Sequence, residues 1–150
     1  MEKITINDKT YGVEKLKATQ AFKLQLKTVK LLGSGIFDGL KNLNGVKSIK
    51  DFKKMDTNNL FEALSDFITK TDDEEIYEFV LSLLKTNVYV IGKAEGEDVN
   101  IPLDIDTHME DKLMDIFQLA IFVLKVNLGK SLAGLKSLMP SLAEKEKKEN

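Results

Sequence analysis

Two short segments of the chain have patterns typical of β-strands, one an alternation of hydrophobic and polar residues and the other a β-branched run. In the first segment, residues 3–13, Ile4 and Ile6 alternate with polar neighbours before a turn-forming Asn-Asp-Lys sequence. In the second, the β-branched run at residues 88–91 is followed by an acidic turn and by residues 99–101. Each segment predicts a β-hairpin. An isolated two-stranded ribbon is marginal in water, so we expect both hairpins to join one sheet.

A helical period replaces this alternation from about Ala18. Ala18, Phe22, Leu26 and Val29 fall on one stripe of a helix, which we expect to face the core and to end at the glycines of residues 33–35. Two more helices are predicted, one from about residue 57 to residue 68 and one opened by a capping box at residues 71–74. The apolar positions of the latter helix are Ile76, Phe79, Val80, Leu83 and Leu84.

The last long helix is predicted from Asp106 or Thr107 to about Leu128. Its inward stripe comprises Leu113, Ile116, Phe117, Ala120, Ile121 and Leu124. Phe122, Val123 and Val126 lie off that stripe, so the helix is apolar over most of its circumference. It is therefore either the central core helix or a helix with a second surface that faces a partner.

These elements predict an α+β fold in which two β-hairpins form one small antiparallel sheet packed with four or five helices. Residues 1–140 are expected to form a single domain. Residues 144–150 are charged at nearly every position, which predicts that residues 141–150 form a solvated, disordered tail. The glycine-containing stretch of residues 34–58 has no clear period, and either a short helix or a mobile loop fits it.

The residue inventory narrows the possible functions. The chain has no cysteine, and its 22 basic residues are all lysine. Disulfides, thiolate nucleophiles, cysteine-ligated metals and arginine clamps are therefore excluded. With His108 as its single histidine, the chain cannot build a histidine-rich metal site by itself. The inventory favours a binding protein, and we expect no enzymatic activity, cofactor or metal.

Charge is distributed unevenly although the net charge is only -2. Residues 1–55 carry an excess of lysine, residues 56–115 carry 16 acidic residues against 4 lysines, and the remainder is mildly basic. The N-terminus lacks the apolar core of a signal peptide, and the longest apolar run, residues 119–124, is far too short to span a bilayer. These features predict a soluble cytoplasmic protein without membrane contact.

Three groups of residues contain side chains that could form a catalytic or binding site, and for each group we prefer a structural explanation. Asp104, Asp106 and His108 could hold Mg²⁺ or Mn²⁺, but Asp106 is better explained as a helix N-cap. Gly33-Ser34-Gly35 matches neither a P-loop nor a nucleophile elbow, and a hinge or helix end explains it. The lysines between Lys41 and Lys54 could contact phosphates, but the chain is acidic and has no arginine. This favours a solvated face, or a surface complementary to an acidic partner or to the chain's own acidic segment, over nucleic-acid binding.

Several local patterns together resemble one protein family. The N-terminal Ile-x-Ile-Asn-x-Lys-x-Tyr pattern is followed by Lys-Leu-Lys-Ala-Thr-Gln-Ala-Phe-Lys-Leu and a helix ending in Leu-Leu-Gly. Near the C-terminus, residues 122–129 read Phe-Val-Leu-Lys-Val-Asn-Leu-Gly. Over residues 3–33 and 106–132 the chain resembles the tail assembly chaperones of tailed bacteriophages and prophages.

This resemblance implies a small non-enzymatic protein that binds the long, helical tape measure protein. It would keep that client soluble in the host cytoplasm, hand it over as tail tube protein subunits polymerise around it, and be absent from the mature virion. The alternative is a structural tail protein retained in the virion, such as a tube or terminator subunit. A homo-oligomer is compatible with either function.

The apolar C-terminal region supplies a hypothesis for the client surface. We expect residues 122–135 to contribute to it. The side chains assigned to this partner-binding surface are Phe122, Val126, Leu128, Leu132 and Leu135.

Overall fold

A four-stranded antiparallel sheet joins the two hairpins. The computed structural model describes residues 1–32, 65–109 and 113–128. The strands β1 (Glu2–Ile6), β2 (Lys9–Val13), β3 (Val88–Ala94) and β4 (Glu97–Pro102) lie in the order β1-β2-β3-β4. Pairing of β2 with β3 connects the hairpins, so the prediction of one shared sheet is confirmed.

Each hairpin turns through two residues, of which at least one has left-handed backbone conformation. In the first turn, which follows Ile6, Asn7 has φ 47°. In the second, Glu95 and Gly96 have φ values of 53° and 85°. Two-residue turns with positive φ match the natural twist of paired strands, and asparagine and glycine adopt this conformation at low cost. The local sequence therefore sets the register of both strand pairs.

Five helices accompany the sheet within the described ranges, and the α+β class is confirmed. They are α1 (Ala18–Leu32), α2 (described over residues 65–70), α3 (Asp73–Leu84), α4 (Ile105–His108) and α5 (Leu113–Leu128). The bounds of α1 agree with those predicted from the apolar period. The expected capping box at the start of α3 is wrong, because its N-cap residue, Asp72, makes no side-chain capping hydrogen bond.

The face that α1 buries differs from the one predicted. Phe22 and Leu26, expected in the core, are exposed, whereas Thr28 and Leu32 are buried. Leu24, Thr28 and Leu32 form a second stripe at i, i+4 and i+8, and the Thr28 hydroxyl donates to the Leu24 carbonyl at 2.7 Å. This hydrogen bond allows a polar residue to stand at a core position. The apolar side chains of the other stripe are thereby left at the surface.

Helix α5 is the centre of the core. It packs against β1, α1 and α3, and its residues 119–124 are all buried. The inward side chains of the sheet that join this core are Ile4, Ile6, Tyr11, Val13 and Val88. Each fully buried aliphatic side chain of this kind contributes roughly 1.5–3 kcal/mol to stability. The described part of α5 is therefore the central core helix, the first of the two interpretations that its sequence allowed.

The expected single helix from Asp106 or Thr107 to Leu128 is wrong at its start. The short helix α4 precedes α5 and ends at His108. Several predicted segments lie outside the described residues: most of the helix predicted at 57–68, the Gly33-Ser34-Gly35 loop, the lysines from Lys41 to Lys54, and the charged tail at 141–150. The single domain over residues 1–140 stays a prediction.

Candidate functional site

The residues predicted to contact a partner fall into two groups, one buried and one outside the described residues. Phe122, Val126 and Leu128 are buried in the core, and the Lys125 ammonium lies 5.3 Å from the centre of the Phe122 ring. Leu132 and Leu135 lie outside the described residues. A partner would reach the first three side chains only if the core opened around α5. The assignment of residues 122–135 to a partner surface stays a prediction.

Asn127 joins the end of α5 to the chain between β2 and α1. Its side-chain Oδ1 accepts a hydrogen bond from the Leu16 backbone N–H at 2.8 Å, and its Nδ2 donates to the Val123 carbonyl at 2.9 Å. The same amide thus satisfies one backbone group on each of two elements. This explains why asparagine stands within the apolar Val-Asn-Leu sequence of the C-terminal motif. The sequence motif alone did not indicate that Asn127 connects these two elements by hydrogen bonds.

Replacing Asn127 with leucine is expected to lower the free energy of unfolding by about 1–3 kcal/mol, because the Leu16 N–H loses its partner. Urea unfolding followed by circular dichroism measures this change. Gln118→Leu is the matched control on the same helix, since the buried Oε1 of Gln118 has no hydrogen-bond partner among the described residues. Its stability should be unchanged or higher. An equal loss in both variants would contradict the proposed role of Asn127.

A buried carboxylate lies between the first hairpin and α5. Asp115 is buried, and its Oδ2 accepts a hydrogen bond from the Asn7 side-chain Nδ2 at 2.8 Å. Burial raises the pKa of the neighbouring Tyr11 hydroxyl above its ordinary value of 10.0, and the negative charge of Asp115 raises it further. A partly buried polar contact thus holds the hairpin turn and the first turn of α5 together.

Tyr11 gives the fold an expected sensitivity to alkaline pH. Its pKa is higher in the folded than in the unfolded chain, so its contribution to stability is complete below about pH 10 and decreases as the pH rises towards the folded-state pKa. Tyr11→Phe should therefore lose less stability than the wild type between about pH 9 and about pH 11. Urea unfolding midpoints of both proteins at these two pH values test this prediction. Lysine deprotonation affects both proteins equally, so it cancels in the comparison. Identical losses would contradict it.

The aspartates and histidine considered as metal ligands form the cap of α4. Asp104 is the N-cap: its Oδ1 accepts from the Asp106 N–H at 3.2 Å and its Oδ2 from the Thr107 hydroxyl at 3.0 Å. The expectation that Asp106 is the cap is wrong, because the helix begins one residue before it. The His108 Nδ1 accepts the Asp104 backbone N–H at 2.9 Å. These polar groups are therefore engaged in local helix-end hydrogen bonds.

Within residues 1–32, 65–109 and 113–128, no three potential metal-ligating side chains are grouped closely enough to hold an ion. None of the helices in this part of the chain combines the length and the apolar character that a bilayer crossing requires.

An apolar groove lies between α2, α3 and α5 and has a volume of about 370 Å³. Its apolar lining consists of Ile68, Ile76, Tyr77, Val80, Ile116 and Phe117. Asp73 is the single charged residue of the lining, so we call this the Asp73 groove. Of these side chains, Ile68 and Tyr77 are strongly exposed. Monomeric proteins rarely leave grouped apolar side chains at the surface unless they bind something.

A second groove lies between α1, α3 and α5 and has a volume of about 280 Å³. Leu24, Leu83 and Val123 supply apolar walls, while Lys23 and Lys27 stand at its edge. The Lys27 ammonium lies 5.9 Å from the centre of the Phe79 ring. The two grooves on either side of α3 therefore differ in charge, the first being acidic and the second basic. Sequence reasoning found the uneven charge but not these grooves.

Residues 7–138 match the family model described as "Phage tail assembly chaperone protein, TAC". The match covers most of the chain and every described element from β2 to α5. Searches of curated proteins and of solved structures found no match.

Proposed function

The chain belongs to the phage tail assembly chaperone family, and from this premise we propose that it binds the tape measure protein and assists assembly of the tail tube. It acts by reversible binding without catalysis, in the host cytoplasm, and leaves before the tail is complete. The match over residues 7–138 is the observation that carries this proposal.

Exposed apolar side chains support a binding function. Three large hydrophobic residues on α2, α3 and α5 are among the most exposed: Ile68, Tyr77 and Met114. A long helical client that has not yet been enclosed by the tail tube exposes apolar faces of its own. Burying both sets of side chains against each other favours association in water and keeps the client from aggregating.

The tail tube protein is a second proposed partner. Tube subunits polymerise around the tape measure protein, so the chaperone must leave as they arrive. Tube subunits can displace the chaperone from the tape measure protein if the chaperone binds that client weakly and reversibly. Interfaces of modest area give binding of this kind.

Mass spectrometry of purified particles tests the proposal against the alternative of a retained structural tail protein. The chaperone should be present in lysates of infected or induced cells and absent from purified tails, while tube and tape measure peptides are abundant in both. Detection of this chain in purified tails at a stoichiometry near that of a tube or terminator subunit would favour the structural alternative.

A further inference from the structure

We propose that the Asp73 groove binds an amphipathic helix whose apolar stripe is flanked by lysine or arginine. This inference rests on the proposed function, because the helix would belong to the client, and it adds both a location and a charge preference. It is argued from the shape of the groove, from the exposure of its side chains and from the charge around it.

The groove-lining residues of α3, one acidic and three largely apolar, share one face of the helix. Asp73, Ile76, Tyr77 and Val80 fall at i, i+3, i+4 and i+7, and therefore on one face of the helix. Ile68 of α2 and two residues of α5, Ile116 and Phe117, complete the walls. A groove between helices with apolar anchors at helical spacing fits the apolar face of another helix.

Two apolar side chains of the groove are largely exposed to solvent and are therefore only partly packed against the core. Tyr77 is 59% exposed and Ile68 is 48% exposed. Phe79, two residues after Tyr77, is by contrast buried. A tyrosine presented in this way combines a large apolar ring with few rotatable bonds, which makes aromatic residues frequent anchors in interfaces.

Charge around the groove selects the kind of helix. Residues 65–80 contain six acidic residues and one lysine. Asp73 lies in the groove lining, and Asp66, Glu74 and Glu78 are exposed on α2 and α3. The ion pairs of the described residues form elsewhere, at Asp98 and Glu2. A helix with basic flanks is attracted to this acidic excess, whereas an acidic one is repelled.

Two designed peptides test the charge preference with the full-length protein. Both carry leucine at i, i+3, i+4 and i+7, and one has lysine on its flanks where the other has glutamate. In fluorescence anisotropy at low salt, the lysine peptide should bind at least about tenfold more tightly than the glutamate peptide. The difference should shrink near 0.5 M salt, where surface charges are screened within about 4–5 Å. Equal affinities, or no binding of the lysine peptide, would overturn the proposal.

Paired variants test the location. Tyr77→Lys should weaken binding of the lysine peptide at least about tenfold, because it removes an anchor and adds a repelling charge. Phe22→Lys is the matched control, since Phe22 on α1 is also 59% exposed, and it should leave the affinity unchanged. Glu74→Gln with Glu78→Gln should weaken binding about threefold and reduce its salt dependence.

Other occupants of the groove have their own signatures. If a second copy of this chain occupied the groove, light scattering would show a mass that increases with protein concentration. Tyr77→Lys would abolish that increase, and the lysine peptide would not reduce it. That result, or equal loss of peptide binding in the Tyr77 and Phe22 variants, would overturn the proposal.

Co-expression with the tape measure protein separates this inference from the proposed function. If the wild type and Tyr77→Lys retain equal amounts of client, the groove is the wrong site while the proposed function stands. If the wild type retains none, the proposed function fails, and the peptide experiment still decides the charge preference of the groove.

Discussion

Leu128→Asp is expected to abolish the cooperative fold of this protein. Leu128 is 0% exposed at the end of α5. Removing a buried leucine costs about 2–5 kcal/mol, and placing an unpaired carboxylate at the same position costs several kcal/mol more. Since small proteins are stable by only about 5–15 kcal/mol, this loss is comparable to the whole stability. Circular dichroism and urea unfolding at 25 °C should show no cooperative transition.

Two control variants define what the Leu128 experiment shows. Leu128→Met conserves volume and should cost less than about 1.5 kcal/mol. Met114→Asp places the same charge on the same helix, at a side chain that is 64% exposed in the first turn, and should be almost neutral. If Leu128→Asp instead remains cooperatively folded but no longer binds the tape measure protein, then Leu128 belongs to the client surface hypothesised from the sequence and not to the core.

Phe79→Ala is expected to destabilise the protein by about 3–5 kcal/mol, the usual cost of truncating a buried phenylalanine. The Phe79 ring meets the Phe67 ring edge-to-face, with centroids 5.8 Å apart and planes at 72°. This contact joins α2 to α3, and the Lys27 ammonium of α1 lies over the same ring. For a chain of this length the melting temperature should fall by roughly 6–20 °C, which differential scanning calorimetry measures.

Tyr77→Ala is the matched control for Phe79→Ala. It removes an aromatic ring from the same helix at an exposed position, and should change stability by less than about 0.5 kcal/mol. Similar losses in the two variants would show that the Phe79 side chain is not the link between α1, α2 and α3.

The hairpins and the bounds of α1 could be predicted because local chemistry determines them. Asn7 and Gly96 stand where two-residue turns need positive φ, and alternation places Ile4 and Ile6 on the buried face. The junction of both hairpins in one sheet followed from the weakness of isolated ribbons. The hairpin turns and the bounds of α1 depend on few long-range contacts, so a single sequence contains enough information to predict them.

The face of α1 could not be predicted because the helix carries two apolar stripes. Phe22 and Leu26 continue one of them, and Leu24 and Leu32 the other. Which stripe is buried depends on how α5 and the sheet are placed, and that is a tertiary property. The start of α4 was missed for a different reason: Asp104 and Asp106 are both good N-caps, and only the hydrogen bonds decide between them.

Only part of the candidate groove could be predicted from the sequence. Ile76 and Val80 were assigned to the apolar face of α3, and the acidic excess of the central segment was noticed. Periodicity alone does not tell a half-covered stripe from a buried one, so the groove itself was not predicted. Tyr77 was the available signal, because a large aromatic residue between Ile76 and Glu78 widens the apolar stripe beyond what the core needs.

Co-expression of this chain with the tape measure protein of the same tail gene cluster tests the central claim most directly. The amount of tape measure protein in the soluble fraction, and its co-elution with this chain in size-exclusion chromatography, are measured with and without the chaperone. We expect the client to be aggregated when expressed alone and to co-elute as a complex when the two are expressed together. A tape measure protein that is equally soluble in both cases and elutes separately would contradict the claim.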